Sequence, residues 1–295
     1  MTEKEFAELD RFGSLGIRNL LSPIAPAVPE ASLTAYHALS TAAFRANHPG
    51  QRYSLHEVDM KMAEMSALFW KRFNGPIKMI TDRPGYEYLV HSPLAEVYDE
   101  ILPVLDTRCC GINAAKYWAA AKIQALSRLP LPCVILDMDM LILKPLKLSG
   151  EKLVCACHEF VDDIVYPPLS FFNTRPGYSF PPEWSEQALP VNTAFLYMGD
   201  RELRDYYTRE SFRFMLAEKE SPDYWATCMV FAEQRILGMC AEARGVYCKM
   251  LCGPDGDQAI LTHFWNVKGK MREEQEIRTY FLELSEKILR QLREA

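Results

Sequence analysis

Asp137 and Asp139 interrupt the apolar run Pro132–Pro145 with one residue between them. Side chains alternate faces along an extended chain, so residues two apart point the same way. Two carboxylates side by side on a buried strand cost free energy unless a proton or a cation sits between them, because unpaired burial is expensive and each raises the other's pKa. A hard divalent ion such as Mn²⁺ or Mg²⁺ takes carboxylate and phosphate oxygens together, which makes this strand end a candidate platform for a nucleotide diphosphate. The plain alternative is a solvated strand end. Apolar flanks on both sides disfavour it.

The elements that would position these residues read as alternating helices and strands. Residues 1–31 carry Pro23, Pro26 and Pro29 and read as an irregular lead-in. Ser32 to Thr34 is expected to cap a helix through Phe44, and a second helix covers about Leu55 to Phe73. Ile77–Asp82 reads as a strand ended by Arg83–Pro84–Gly85, and Ala114–Leu129 as the clearest helix, delivering the chain into the aspartate strand. Strands are expected again over Leu153–Cys157, Val191–Met198 and Val246–Cys248. Between the first two, residues 161–190 form a long excursion rich in proline and aromatics. Helices follow Asp200 and cover Ser221–Gly238, and a charged amphipathic helix closes the chain. The pattern predicts an α/β fold with a mixed, mostly parallel central sheet flanked by helices.

A chain of 295 residues, 49% of them hydrophobic, fills a proper core. The net charge of -6, with no long Lys/Arg run, argues against a nucleic-acid partner. The charged N-terminus and the lack of an eighteen-residue apolar run predict no transmembrane segment and a soluble cytoplasmic protein. Nine cysteines, several in apolar segments, read as reduced core thiols rather than a disulfide frame. A sulfur-ligated zinc built on Cys155, Cys157 and His158 with Cys248 and Cys252, or on Cys109 and Cys110, is a rival use of them, though structural zinc prefers turn-borne ligand pairs.

Five segments in order carry a resemblance: Ala115–Ile123; Val134–Asp139; Val191–Met198; Phe231–Leu237; and His263–Phe264–Trp265–Asn266–Val267–Lys268–Gly269–Lys270. Together they resemble GT-A-fold glycosyltransferases, in particular the family 8 and family 32 type of sugar transferase and their uncharacterised bacterial relatives, over roughly residues 33–271. The resemblance implies a GT-A-like nucleotide-diphospho-sugar transferase fold, with residues 32–271 as catalytic domain and 272–295 as a helix packed on that domain or on a neighbour. It implies a Mn²⁺ (or Mg²⁺) ion held by Asp139 and His263 with Asp137 beside it. The donor would be a nucleoside diphosphate sugar, uridine-linked, and the acceptor an unspecified hydroxyl. Lys268 and Lys270, flanking Gly269 in a short loop, would approach phosphate; Lys116 would face the nucleotide; Asp82 would sit near base or ribose. Asn192 would orient a sugar hydroxyl, and Glu233, in a Glu–Gln pair, would attend the acceptor or the positive charge on the sugar. Lys122 reads as a surface charge. Met138 and Met140 stand where the family commonly has small residues, and their bulk bears on the sugar pocket.

Two further readings use the same residues. Ile135–Asp139 also resembles the opening of a haloacid-dehalogenase-type phosphohydrolase, with Asp137 as nucleophile and Asp139 as general acid, and Asp255–Gly256–Asp257 as its later acidic loop. That motif usually continues with Gly and Thr, which Met140–Leu141 does not supply. The other reading is a non-catalytic nucleotide-sugar-binding protein of the same fold.

Overall fold

The computed structural model describes residues 32–106, 111–219, 224, 226–252, 260–265 and 267–294. The expected lead-in 1–31, Cys109 and Cys110, Ser221 with Trp225, and Asp255–Gly256–Asp257 lie outside the described residues.

The strands are β1 (Ala35–Leu39), β2 (Ile77–Thr81), β3 (Glu100–Leu102), β4 (Cys133–Leu136), β5 (Met140–Ile142), β6 (Leu153–Cys155), β7 (Phe195–Met198), β8 (Cys248–Met250) and β9 (Leu261–His263). Seven of them form one sheet in the order β3-β2-β1-β4-β7-β6-β8, with β5 and β9 paired separately. Every neighbouring pair in the large sheet is parallel except those made by β7, which runs against β4 and β6. This is the mixed, mostly parallel sheet that the alternating pattern predicts.

The helices are α1 (Ala42–Asn47), α2 (Glu57–Phe73), α3 (Arg83–Leu89), α4 (Ala120–Arg128), α5 (Arg201–Ala217), α6 (Thr227–Val230), α7 (Ile236–Ala243), α8 (Lys268–Glu273) and α9 (Gln275–Glu294). They cover both faces, and alternation along β4, the middle strand, shows how. Cys133 and Ile135 belong to a core shared with Ile123 and Leu126 of α4 and Tyr207 and Phe214 of α5. Val134 and Leu136 belong to a second core with Ala63, Ala67 and Trp70 of α2. A strand covered on both faces has no polar side to show, which is why Cys-Val-Ile-Leu reads as an unbroken apolar run. On the outer side of α2, Met62, Phe69 and Phe73 pack with Phe281, Ile288 and Leu289 of α9. Lys61 pairs with Glu286 there at 2.6 Å.

Several expected elements differ, among them the strand expected over Val191–Met198, which begins at Phe195, and the helix expected to Gly238, which is interrupted at Phe231–Arg235 and runs on to Ala243. Ala35–Leu39 is strand β1, not the body of a helix: Ala35 lies between Ile77 and Val134. Local helix preference separates ordinary residues by under about 1 kcal/mol, too little to outweigh a place between two core strands. The helix expected over Ala114–Leu129 is regular only from Ala120, leaving Lys116 in the preceding turns. The strand expected near Val246 begins at Cys248. The run 132–145 is two strands rather than one, because the chain turns at Asp137–Asp139, closed by the Met140 amide donating to the Asp137 carbonyl at 3.0 Å.

The excursion after β6 is largely irregular, as expected, with one short turn of 3₁₀ helix at Leu169–Phe171. Its two ends are bonded together: Ala156 N donates to Asn192 O (3.0 Å), Asn192 N to Cys157 O (2.8 Å) and Glu159 N to Pro190 O (3.0 Å). Its return lies directly on α7 at Gly238, where a side chain would collide with the Leu189 carbonyl.

Candidate functional site

Asp137 is the first residue beyond the carboxyl end of β4, and its amide donates to Ala194 O at 2.7 Å, just before β7. Asp139 is the last residue before β5, and its carbonyl accepts from Phe264 N at 3.0 Å, just after β9. His263 ends β9. The two aspartates thus meet across a tight turn, and the paired strands β5 and β9 bring the histidine, distant in sequence, to the same point. Parallel strands β1, β2 and β4 end on this rim, and the chain proceeds from β1 outward to β2 on one side while β4 lies on the other. Such a divergence opens a crevice at the carboxyl ends of the strands, where ligands of open α/β sheets bind.

Asp137, Asp139 and His263 each offer one ligand atom, and these atoms all lie within 4.8 Å of one another. Among the described residues, buried His263 Nε2 has no hydrogen-bond partner and faces Asp139 Oδ1 at 3.6 Å. Two carboxylates and an orphaned imidazole nitrogen are a donor set that suits Mn²⁺ or Mg²⁺ with oxygen-rich coordination, so the residues fit a divalent ion.

Each carboxylate also meets a lysine. Lys268, the first residue of α8, donates to Asp139 Oδ2 at 2.6 Å. Burial pushes the Asp139 carboxyl upward, but the Lys268 ammonium and His263 together hold it well below the usual carboxylate range. On the other side Lys122, in α4, meets Asp137 Oδ1 at 2.7 Å, Thr193 O at 3.1 Å and Glu233 Oε1. These three acceptors use all three donors of its ammonium. Burial pulls the Lys122 ammonium down, and Asp137 and Glu233 more than reverse that, holding it above the ordinary lysine value. Glu233 Oε1 further accepts from Thr193 Oγ1 at 2.7 Å, and the Glu233 carbonyl accepts from Tyr207 OH at 2.7 Å. Phe231–Arg235 is a widened π-type turn between α6 and α7, a local irregularity that often accompanies functional sites.

Lys122 corrects the sequence reading: it is 9% exposed, not a surface charge. The signal was present, since Ala125, Leu126 and Leu129 stand three, four and seven residues on, and a helix places all of them on one buried face. Thr193 is likewise a member of the cluster that motif reading passed over.

Lys116, Asp82 and Asn192 are bonded to other partners. Lys116 pairs with Glu218, which also accepts from Tyr117 OH at 2.8 Å. Asp82 is fully buried and caps α3, accepting from Gly85 N (3.0 Å), Thr41 N (3.0 Å), Thr41 Oγ1 (2.9 Å) and Ser40 Oγ (3.2 Å). It thereby ties the ends of β1 and β2 together. Asn192 donates through Nδ2 to Glu159 Oε1 (2.6 Å) and accepts at Oδ1 from Ala194 N (3.0 Å). Lys268, Gly269 and Lys270 open α8 instead of forming a loop, and Lys270 is exposed. Among the described residues, Cys133, Cys155, Cys157, Cys228, Cys240, Cys248 and Cys252 are not joined in disulfides, and the only cluster with metal-ligand geometry is the Asp–Asp–His group. No helix among the described residues is long and apolar enough to cross a membrane.

No protein-family model matches the chain, and no curated protein matches it. Among solved structures it is similar to mouse xyloside xylosyltransferase 1 in its apo form, with 11% sequence identity, a TM-score of 0.33, and 71% of this chain and 84% of that chain covered.

Proposed function

We propose that the chain is a metal-dependent glycosyltransferase that moves a sugar from a nucleoside diphosphate donor, a UDP-sugar by the sequence resemblance, to an acceptor hydroxyl. The observation that carries this reading is the convergence of Asp137, Asp139 and the unpartnered His263 Nε2 at the carboxyl end of the central strand. A divalent ion bound there supplies charge neutralisation to the diphosphate as the sugar–phosphate bond breaks. In this reading Asp139 and His263 hold the ion, Asp137 supports it, and residues 32–271 form the catalytic domain.

Lys268 is bonded to Asp139; with Asp139 and His263 holding an ion, its ammonium would be available to meet phosphate, and exposed Lys270 would add charge on the same turn. Glu233 and Asn192 are the proposed sugar- and acceptor-side groups. Glu233 is held by Lys122 and Thr193, which suits a carboxylate fixed in place beside a developing positive charge. Lys116 faces the nucleotide in this proposal after exchanging Glu218 for it, and Asp82 acts through Thr41 by fixing the rim of β1.

Isothermal titration of UDP into the protein with Mn²⁺ tests the reading. Binding is expected with Mn²⁺, and is expected to vanish with chelator and in Asp139→Ala and Asp139→Asn, both checked for a native circular dichroism spectrum. Metal-independent or absent UDP binding overturns it and turns attention to phosphohydrolase substrates or a non-catalytic role.

A further inference from the structure

Behind the turn that carries the aspartates lies a buried polar chain. His37, in the middle of β1, is fully buried between Tyr98 OH, 2.7 Å from Nδ1, and Ser66 Oγ of α2, 3.1 Å from Nε2. Ser66 Oγ donates to the Met140 carbonyl at 2.5 Å. A carbonyl only accepts, so the hydroxyl proton of Ser66 is spent on Met140 and its oxygen must accept from His37 Nε2–H. That leaves Nδ1 bare to accept from Tyr98 OH. Every donor in the chain points one way. The ring is neutral, since burial pushes the His37 imidazole down to about 3, with Asp139 only partly opposing.

The far end of the chain is the point that matters. In the antiparallel β5–β9 pair, backbone bonds join Phe264 N to Asp139 O and Leu143 N to Ile260 O, and Met140 stands opposite His263 in a position that makes none across the pair. The fully buried Met140 therefore turns its carbonyl away from β9, toward α2, where Ser66 meets it. Without Ser66 that carbonyl is a buried acceptor with no other donor among the described residues.

We infer that Tyr98, His37 and Ser66 are positioning residues whose one-way chain of hydrogen bonds, ending on the Met140 carbonyl, fixes the two-stranded ribbon that carries Asp139 and His263. This inference rests on the metal reading above. Removing a partner that orients metal ligands at one remove typically weakens metal binding 10- to 100-fold.

Two measurements test it. In calorimetric titration with Mn²⁺ alone, Ser66→Ala is expected to bind about tenfold more weakly than wild type. Ser285→Ala, which removes a buried hydroxyl donating to Leu282 O at 2.8 Å in α9, is expected to bind as wild type, separating positioning from general loss of stability. In histidine ¹⁵N spectra of the wild-type protein at neutral pH, His37 is expected as the Nε2–H tautomer. Equal Mn²⁺ affinity of wild type and Ser66→Ala overturns the inference and leaves the metal reading intact. A wild type that binds no Mn²⁺ overturns both, and an Nδ1–H tautomer overturns the chain on its own.

Discussion

The two carboxylates of the site are each matched to a lysine, yet the two halves are built differently. Lys122 has a 10% exposed side chain and is bound to three acceptors from three segments, so Asp137 is held in a closed network with Glu233 and Thr193. Lys268 has a 32% exposed side chain, stands at the start of a six-residue helix and, among the described residues, bonds Asp139. The contrast teaches that equal pairing is not equal fixity. A buried ammonium with every donor used is part of the frame, whereas a partly exposed one, in the proposed reading, can leave its carboxylate to a cation and turn to phosphate itself.

Substitution of Lys122 presses hardest on this contrast. Lys122→Met strands buried Glu233, and partly exposed Asp137 beside it, without their cation, and stranding the buried carboxylate is expected to cost about 3 kcal/mol or more in urea unfolding. A loss well below 1 kcal/mol would erase the distinction between the halves. The frame behind Asp139 sets a second expectation, in pH. Folded His37 titrates near 3 and the unfolded ring near 6.5, so below 6.5 the unfolded chain takes up a proton that the folded one refuses. The stability its neutral form confers is complete above about 6.5 and lost as pH falls toward 3, at about 1.4 kcal/mol per pH unit from this group. His37→Gln should flatten that slope in denaturation series across pH 4–6. The smallest effect belongs to Lys268→Met, expected to lower stability by about 1–2 kcal/mol, because the lysine end of the pair is partly exposed and His263 remains beside Asp139. Added Mn²⁺ should restore most of that loss, and failure to do so would mean that Lys268 is as much frame as Lys122.

Much of this could be read from residue types and spacing. Asp137 and Asp139 were legible because carboxylates inside apolar runs have few inexpensive environments, and His263 was singled out by its place in the ordered segments that carry the resemblance. Their arrangement was less so: alternation along a strand predicts a shared face, and the chain instead turns between them, a feature set by Ala194 and Phe264, more than fifty residues away. Local pattern carries no record of such partners. Lys122 shows the reverse, since its helical neighbours mark it as buried and only the habit of placing lysine at the surface hid it. β1 was lost for a third reason: five residues that suit either a helix or a core strand are settled by what lies beside them.

The backward course of β7 has an evolutionary reading. Because β6 leaves the sheet and β7 re-enters it at the same rim, the segment between them is the loop of an enlarged hairpin, sewn shut at its base by the Ala156, Cys157, Glu159, Pro190 and Asn192 backbone. Doubling such a loop adds only about 0.6 kcal/mol of closure entropy, and no other strand has to move. Its exposed stretches can therefore change in length while Asp137, Asp139 and His263 stay where they are, with Phe172 and Trp184 anchoring the segment in the core beside Phe214 and Phe231. A fold wired in this way can change what it recognises at one edge without rebuilding its centre.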